Sequence, residues 1–122
     1  MLNFITDLFK PKASKPAPIT SETSMNFDAG DVRPFLVGLM NNPRFGLPAE
    51  LPDFVAKALA DMAVDQTQRF KIDGDFDGAP MEIEIEIFMD DIDAPDIAFF
   101  SSQPVVSELE RELTAFAELM EA

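Results

Sequence analysis

The sequence contains no cysteine, histidine, tryptophan or tyrosine. Without cysteine and histidine, the chain has no disulfide, no thiol nucleophile, no imidazole base and none of the nitrogen and sulfur ligands of common zinc sites. Any metal ion would be bound by oxygen atoms alone. Without tryptophan or tyrosine, the chain also lacks the main aromatic side chains that stack on sugars beside paired catalytic carboxylates. No glycine-rich phosphate loop or nucleophile elbow is present, so the sequence predicts a protein that is not an enzyme.

Long apolar runs are missing as well. No stretch approaches the ~20 apolar residues that a membrane-spanning helix needs. The first residues lack the basic start and the small-residue cleavage site of a signal peptide. Together these observations predict a cytoplasmic protein.

Basic residues are scarce and unevenly distributed. The 122 residues include 23 acids and 9 bases, a formal net charge of −14. Residues 1–20 contain three lysines and one aspartate, so the whole excess of acids lies in the rest of the chain. Such an acidic body repels nucleic-acid phosphates and anionic lipids and attracts basic surfaces. The charge therefore argues against direct nucleic-acid binding and favours a basic protein partner.

Composition divides the chain into three parts. Residues 1–9 form an amphipathic N-terminal tip, which is predicted to make a weak contact with a membrane surface, to dock in a groove of another protein or to pack back on its own domain. Residues 10–25 form a linker rich in Pro, Lys, Ser and Thr, and residues 26–122 form a single acidic α+β domain. The docking residues of the tip are Leu2, Phe4, Ile5, Leu8 and Phe9.

Apolar residues at helical spacing predict three helices in the domain. The first begins near Asp28 or Asp31 and ends at Pro43, the second runs from about Asp53 to Val64, and the third begins near Pro104. Residues 44–52, between the first two helices, are predicted to form an ordered loop.

After the second helix, the apolar period changes from 3.6 to 2. Residues 67–72, 81–89 and 96–101 alternate as strands do, with a loop at residues 74–80 and an acidic turn at residues 90–95 between them. The predicted fold class is α+β, with two helices, a three-stranded antiparallel β-meander and a C-terminal helix packed on one sheet face.

The predicted hairpin loop resembles a calcium-binding loop in its spacing. Asp73, Asp75, Asp77 and Glu84 fit the pattern D-x-D-x-D-G-x5-E of an EF-hand, which implies four carboxylate ligands for calcium. The surrounding residues do not fit an EF-hand, because both flanking segments alternate like strands and no second loop of this kind exists. Two interpretations stay open, a divalent-cation site and a hairpin connection built from good turn residues.

Residues 73–96 contain ten acids and no base. Glutamates at every second position of a strand share one face, so the run predicts an acidic sheet face flanked by aspartates. Arg69 and Lys71, across the hairpin, would offset two of the charges. The predicted partner-binding residues are Glu82, Glu84, Glu86, Asp90, Asp91 and Asp93. The competing interpretation is a solvated face that serves solubility alone.

These observations predict a non-enzymatic, acidic protein-interaction module. Its acidic sheet face would bind a basic partner, as an inhibitor, an immunity protein or a chaperone-like binder does. One alternative is calcium binding at the hairpin between Asp73 and Glu84. The other is a membrane-recruited adaptor that uses residues 1–15.

Overall fold

In residues 16–121, five antiparallel strands form one sheet. The computed structural model describes residues 16–121, and the strands are β1 (Ser21–Asn26), β2 (Phe45–Gly46), β3 (Thr67–Phe76), β4 (Ala79–Asp91) and β5 (Ala94–Ser101). Their order across the sheet is β1-β5-β4-β3-β2. The hairpins β3–β4 and β4–β5 therefore supply its centre, and β1 and β2 lie at its edges.

Three helices cover one face of the sheet. They are α1 (Val32–Met40), α2 (Leu51–Ala60) and α3 (Gln103–Glu121). Pro34 lies in the first turn of α1, where a missing N–H breaks no intrahelical hydrogen bond. α2 begins two residues before the predicted Asp53 because Pro52 occupies its first turn. It ends at Ala60, four residues before the predicted Val64.

The hydrophobic core lies between the helices and the odd-numbered side chains of β4. Ile83, Ile85 and Ile87 are buried there, together with Ile97 of β5 and Leu109 of α3. Successive side chains of a strand point to opposite faces, so the even-numbered residues of β4 lie on the other face of the sheet. The α+β class and the three helices are confirmed, and the sheet has five strands where three were predicted.

The two unpredicted strands are both at the edges. β1 pairs with β5 from Ser21↔Ser101 to Asn26↔Asp96, and it includes residues 21–25 of the predicted linker. β2 consists of two residues within the predicted ordered loop and pairs with the end of β3. Neither segment has an apolar alternation of its own. Each is held in place by a partner strand that is distant in sequence.

The β3–β4 connection is shorter than predicted. A loop was predicted over residues 74–80. In the structure β3 continues to Phe76 and β4 begins at Ala79, so only Asp77 and Gly78 lie between the two strands. Both have positive φ, 52° and 82°. A two-residue hairpin turn favours this positive-φ conformation because the conformation matches the twist of the strands. An Asp-Gly pair adopts it readily.

The N-terminal tip at residues 1–9 and the predicted linker up to residue 15 lie outside the described residues. Within residues 16–121, no helix is long and apolar enough to cross a membrane.

Candidate functional site

One face of the sheet carries most of the predicted site residues. We call it the open face, because within residues 16–121 the helices and the core lie on the opposite side. Seven carboxylates and two basic side chains give it a formal charge of −5. Its residues are Glu22, Ser24, Asn26, Thr67, Arg69, Lys71, Asp73, Asp75, Glu82, Glu84, Glu86, Phe88, Asp96, Ala98 and Phe100.

Glu82, Glu84 and Glu86 lie side by side on the open face as the sequence predicts, and each has a basic neighbour. Arg69 Nε lies 2.8 Å from Glu84 Oε1, and its Nη1 lies 3.3 Å from Glu86 Oε2. Lys71 Nζ lies 3.8 Å from Glu82 Oε2. The hydrogen bond with Glu84 is the main reason why the pKa of Arg69 lies above its usual value. These three glutamates therefore carry little uncompensated charge.

Two half-buried aromatic rings lie on the open face. Phe100 lies beneath Arg69, whose guanidinium carbon is 4.5 Å from the ring centroid. Phe88 lies on the same face, opposite Asp96 of β5 and Thr67 of β3. Partly exposed aromatic and arginine side chains are the types enriched at the centres of protein interfaces. The even spacing of Phe88 from Glu82, Glu84 and Glu86 already identifies it as a residue of this face.

Carboxylates outside the ion pairs of residues 16–121 lie on both sides of these rings. Glu22 of β1 and Asp96 of β5 lie on one side, and Asp73 and Asp75 of β3 lie on the other. Asn26 donates a hydrogen bond of 2.6 Å to Asp96 Oδ1, which fixes that carboxylate. None of the four belongs to an ion pair within the described residues.

Asp90, Asp91 and Asp93 form a separate group at the β4–β5 turn. All three are exposed, and no ion pair in residues 16–121 includes them. The backbone N–H of Asp93 donates to Asp91 Oδ1 at 3.1 Å. Asp91 is nine residues along β4 from Glu82, about 30 Å at the rise of an antiparallel strand. The structure therefore divides the six predicted partner-binding residues into two groups.

The four predicted calcium ligands do not converge. Asp73 and Asp75 lie on β3, and Asp77 occupies the turn. Glu84 lies on β4 and accepts a hydrogen bond from Arg69 of β3. Within residues 16–121, no group of three or more acidic side chains is arranged to hold a metal ion. Calcium binding stays a prediction, which thermal melting with millimolar calcium tests through the stabilisation that a bound ligand confers.

Asp77 instead takes part in a polar network centred on Arg44. Arg44 Nε and Nη2 bond the two oxygens of Asp77 at 2.9 and 2.8 Å, and Nη1 bonds Glu108 Oε1 at 2.9 Å. These bonds raise the pKa of Arg44 and lower the pKa of Asp77, chiefly through their mutual hydrogen bonds.

The same network ties three parts of the chain together. Asn42 donates to Glu108 and Glu112 of α3 at 2.9 and 2.8 Å, and the Asp77 N–H donates to the Arg44 carbonyl at 2.8 Å. The loop after α1, the β3–β4 turn and α3 are thereby linked. The partners are 33 to 70 residues apart in sequence, so no local pattern predicts the network.

The predicted tip residues Leu2, Phe4, Ile5, Leu8 and Phe9 lie outside the described part of the chain.

No protein-family model matches the sequence, and no curated protein or solved structure shows significant similarity to it. The fold and the side chains of the open face therefore carry the functional argument.

Proposed function

We propose that this protein is a non-enzymatic interaction module that binds a basic protein partner through its open face. It would act as an inhibitor, an immunity protein or a chaperone-like binder. The observation that carries the proposal is a sheet face with a formal charge of −5 and two half-buried Phe rings, on which no helix of residues 16–121 packs.

The unpaired carboxylates supply long-range attraction. Glu22, Asp96, Asp73 and Asp75 flank the face, and Asp90, Asp91 and Asp93 extend the negative surface beyond one end of it. Complementary charge of this kind accelerates association and disfavours partners of like charge. This attraction weakens as salt is added, because salt shortens the Debye length, which is already about 8 Å at 0.15 M.

The centre of the face supplies contact area. Phe100 and the Arg69 guanidinium form a partly apolar patch, and Phe88 adds a second half-buried ring four residues further along the strands. Burying apolar surface stabilises a complex by about 25 cal/mol per Å² before the costs of association. Glu84 and Glu86 already bond Arg69 and so hold it over Phe100. A partner thus meets a preorganised arginine and aromatic patch inside an acidic rim.

A quantitative pull-down with two charge-matched variants tests this proposal. The open-face variant combines Glu82→Gln, Glu84→Gln and Glu86→Gln. The control variant combines Asp28→Asn, Glu50→Gln and Asp61→Asn, three exposed carboxylates outside the open face. Both change the net charge from −14 to −11. Partners captured from native lysate are quantified by mass spectrometry at low and high salt.

We expect the open-face variant to capture about fivefold less of the main partner, or less still. The substitutions free Arg69 from its ion pairs and reduce the negative charge of the open face. The control variant should retain that partner. Equal losses in the two variants would show that net charge alone governs capture, and unchanged capture by the open-face variant would move the contact to another surface. Either result would refute the proposal.

A further inference from the structure

The outer side of β1 is a free strand edge within the described residues. The N–H of Phe27 donates to the Pro95 carbonyl at 2.9 Å, and the N–H of Ala29 donates to the Asp93 carbonyl at 2.8 Å. In an antiparallel ladder the peptide groups of successive residues point to opposite sides. The odd-numbered residues of β1 therefore face β5, and the peptide groups of Glu22, Ser24 and Asn26 point away from the sheet.

This edge lacks the residues that usually block strand pairing. Free edges are commonly protected by lysine, proline or a bulge. The part of β3 that extends beyond β2 carries Arg69 and Lys71, whereas the six residues of β1 include neither a basic residue nor a proline. Of the two free edges in residues 16–121, β1 is the one open to another strand.

A groove runs beside this edge, between β1 and α3. Met25, Leu113 and Ala117 contribute its apolar surface, and Glu110, Glu118 and Glu121 contribute its charge. Its volume is about 380 Å³, within the range of about 300–1,000 Å³ that is usual for ligand-binding pockets. Among residues 16–121, no basic side chain lines it. The groove therefore combines strand-pairing groups, an apolar floor and three carboxylates.

We infer that an extended, cationic segment of a partner protein binds in this groove and adds a sixth strand to the sheet beside β1. Its backbone would pair with the outward peptide groups of Glu22, Ser24 and Asn26, as in other cases of strand addition. At every second position its side chains would face α3. The charge of the groove selects lysine or arginine there, because their apolar stems pack on Met25 while their cationic ends reach the glutamates.

The groove carboxylates Glu110, Glu118 and Glu121 belong to α3 and lie outside the open face, so the two proposed binding sites can be separated by experiment. The probe is a fluorescein-labelled nonapeptide of alternating lysine and valine, and its control is the same peptide with glutamate in place of lysine. Fluorescence anisotropy measures binding to the full chain, to the open-face variant, to Ser24→Pro and to a helix variant. The helix variant combines Glu110→Gln, Glu118→Gln and Glu121→Gln, the three groove carboxylates of α3. Proline at this position removes an outward N–H and no bond to β5.

We expect the lysine peptide to bind and the glutamate peptide not to bind. Affinity should fall about tenfold in the helix variant and at least as far in Ser24→Pro, and it should change less than about twofold in the open-face variant. Equal weakening by the helix and open-face variants would indicate non-specific charge attraction and would overturn the inference. So would full binding by a folded Ser24→Pro variant.

Amide hydrogen exchange gives a second measurement that needs no substitution. In the free full chain, the amides of Glu22, Ser24 and Asn26 should exchange rapidly and those of Thr23 and Met25 slowly. The lysine peptide should protect the first three. Protection of these amides in the free chain, or no added protection at saturating peptide, would contradict strand addition.

Discussion

Two aspartate-rich turns flank β4, and they use their carboxylates in opposite ways. At the β3–β4 turn, Asp77 accepts hydrogen bonds from Nε and Nη2 of Arg44, and Nη1 of the same guanidinium bonds the buried Glu108. At the β4–β5 turn, Asp91 and Asp93 are exposed and belong to no ion pair in the described chain. One turn anchors the fold, whereas the other adds negative charge to the surface.

The two turns look alike in sequence, since both are short runs of aspartate between strands. What separates them is a single arginine 33 residues away from Asp77. An acidic segment therefore does not reveal its role by composition. The role depends on which side chains the tertiary fold brings beside it, and substitutions at the two turns should have different consequences.

Replacement of Arg44 should have the largest effect on stability. Arg44→Ala removes both bonds to Asp77 and leaves Glu108 of α3 with one strong donor fewer in a mostly buried site. We expect the melting temperature to fall by roughly 5–10 °C. Arg33→Ala is the matched control, because it breaks an ion pair with Asp53 in which both side chains are exposed. Equal shifts for the two variants, measured by circular dichroism, would contradict the anchoring role of the network.

Asp77→Asn should have an intermediate effect that depends on pH. The bonds with Arg44 lower the pKa of Asp77 in the folded state, so the pair stabilises the fold above the unfolded pKa and this contribution disappears as the pH falls below about 4. Asparagine tolerates the positive φ of this position. We expect a melting temperature lower by about 2–4 °C at pH 7 and a clearly smaller deficit near pH 2.5.

The control for this pH profile is Asp91→Asn at the other turn. Its side-chain oxygen still accepts the hydrogen bond from the Asp93 N–H, and no basic neighbour is lost. The difference in melting temperature between this variant and the parent should be small at both pH values. A constant deficit of Asp77→Asn down to pH 2.5 would show that its charge does not provide the stabilisation.

Neutralising the exposed turn should have the smallest effect, and of opposite sign. The combination Asp90→Asn, Asp91→Asn and Asp93→Asn removes like charges that repel one another. We expect the melting temperature to rise by about 1–3 °C at low ionic strength and to return to the parent value in 0.5 M salt, where charges are screened within a few ångströms. A clear decrease would reveal that these carboxylates also stabilise the fold.

Local periodicity explains which elements could be predicted from the sequence. α1, α2 and α3 carry apolar stripes, and β4 alternates over its whole length, so each element has its own signature. The same alternation predicts that Glu82, Glu84 and Glu86 share one face of the sheet, and they do. Their exposure to a partner is harder to predict, because it depends on how Arg69 and Lys71 are distributed among them.

The two edge strands, β1 and β2, could not be predicted, because neither has an apolar periodicity of its own. β1 has the sequence SETSMN, in which only Met25 is a large apolar residue, and β2 has two residues. Such segments become strands because a neighbour offers hydrogen-bonding partners, and not because of an intrinsic preference. The Arg44 network and the groove beside β1 are likewise made by residues distant in sequence, so both exist only once the chain has folded.

The pairing of β1 with β5 also determines when folding can be completed. Ser21 and Ser101 are neighbours in the ladder but are separated by 80 positions in the chain. At about 5–20 residues per second, Ser21 is synthesised roughly 4–16 s before Ser101. A nascent chain that ends before β5 therefore holds β1 without its ladder. Contacts of such long sequence separation slow folding, so closure of the sheet is expected to be the late event.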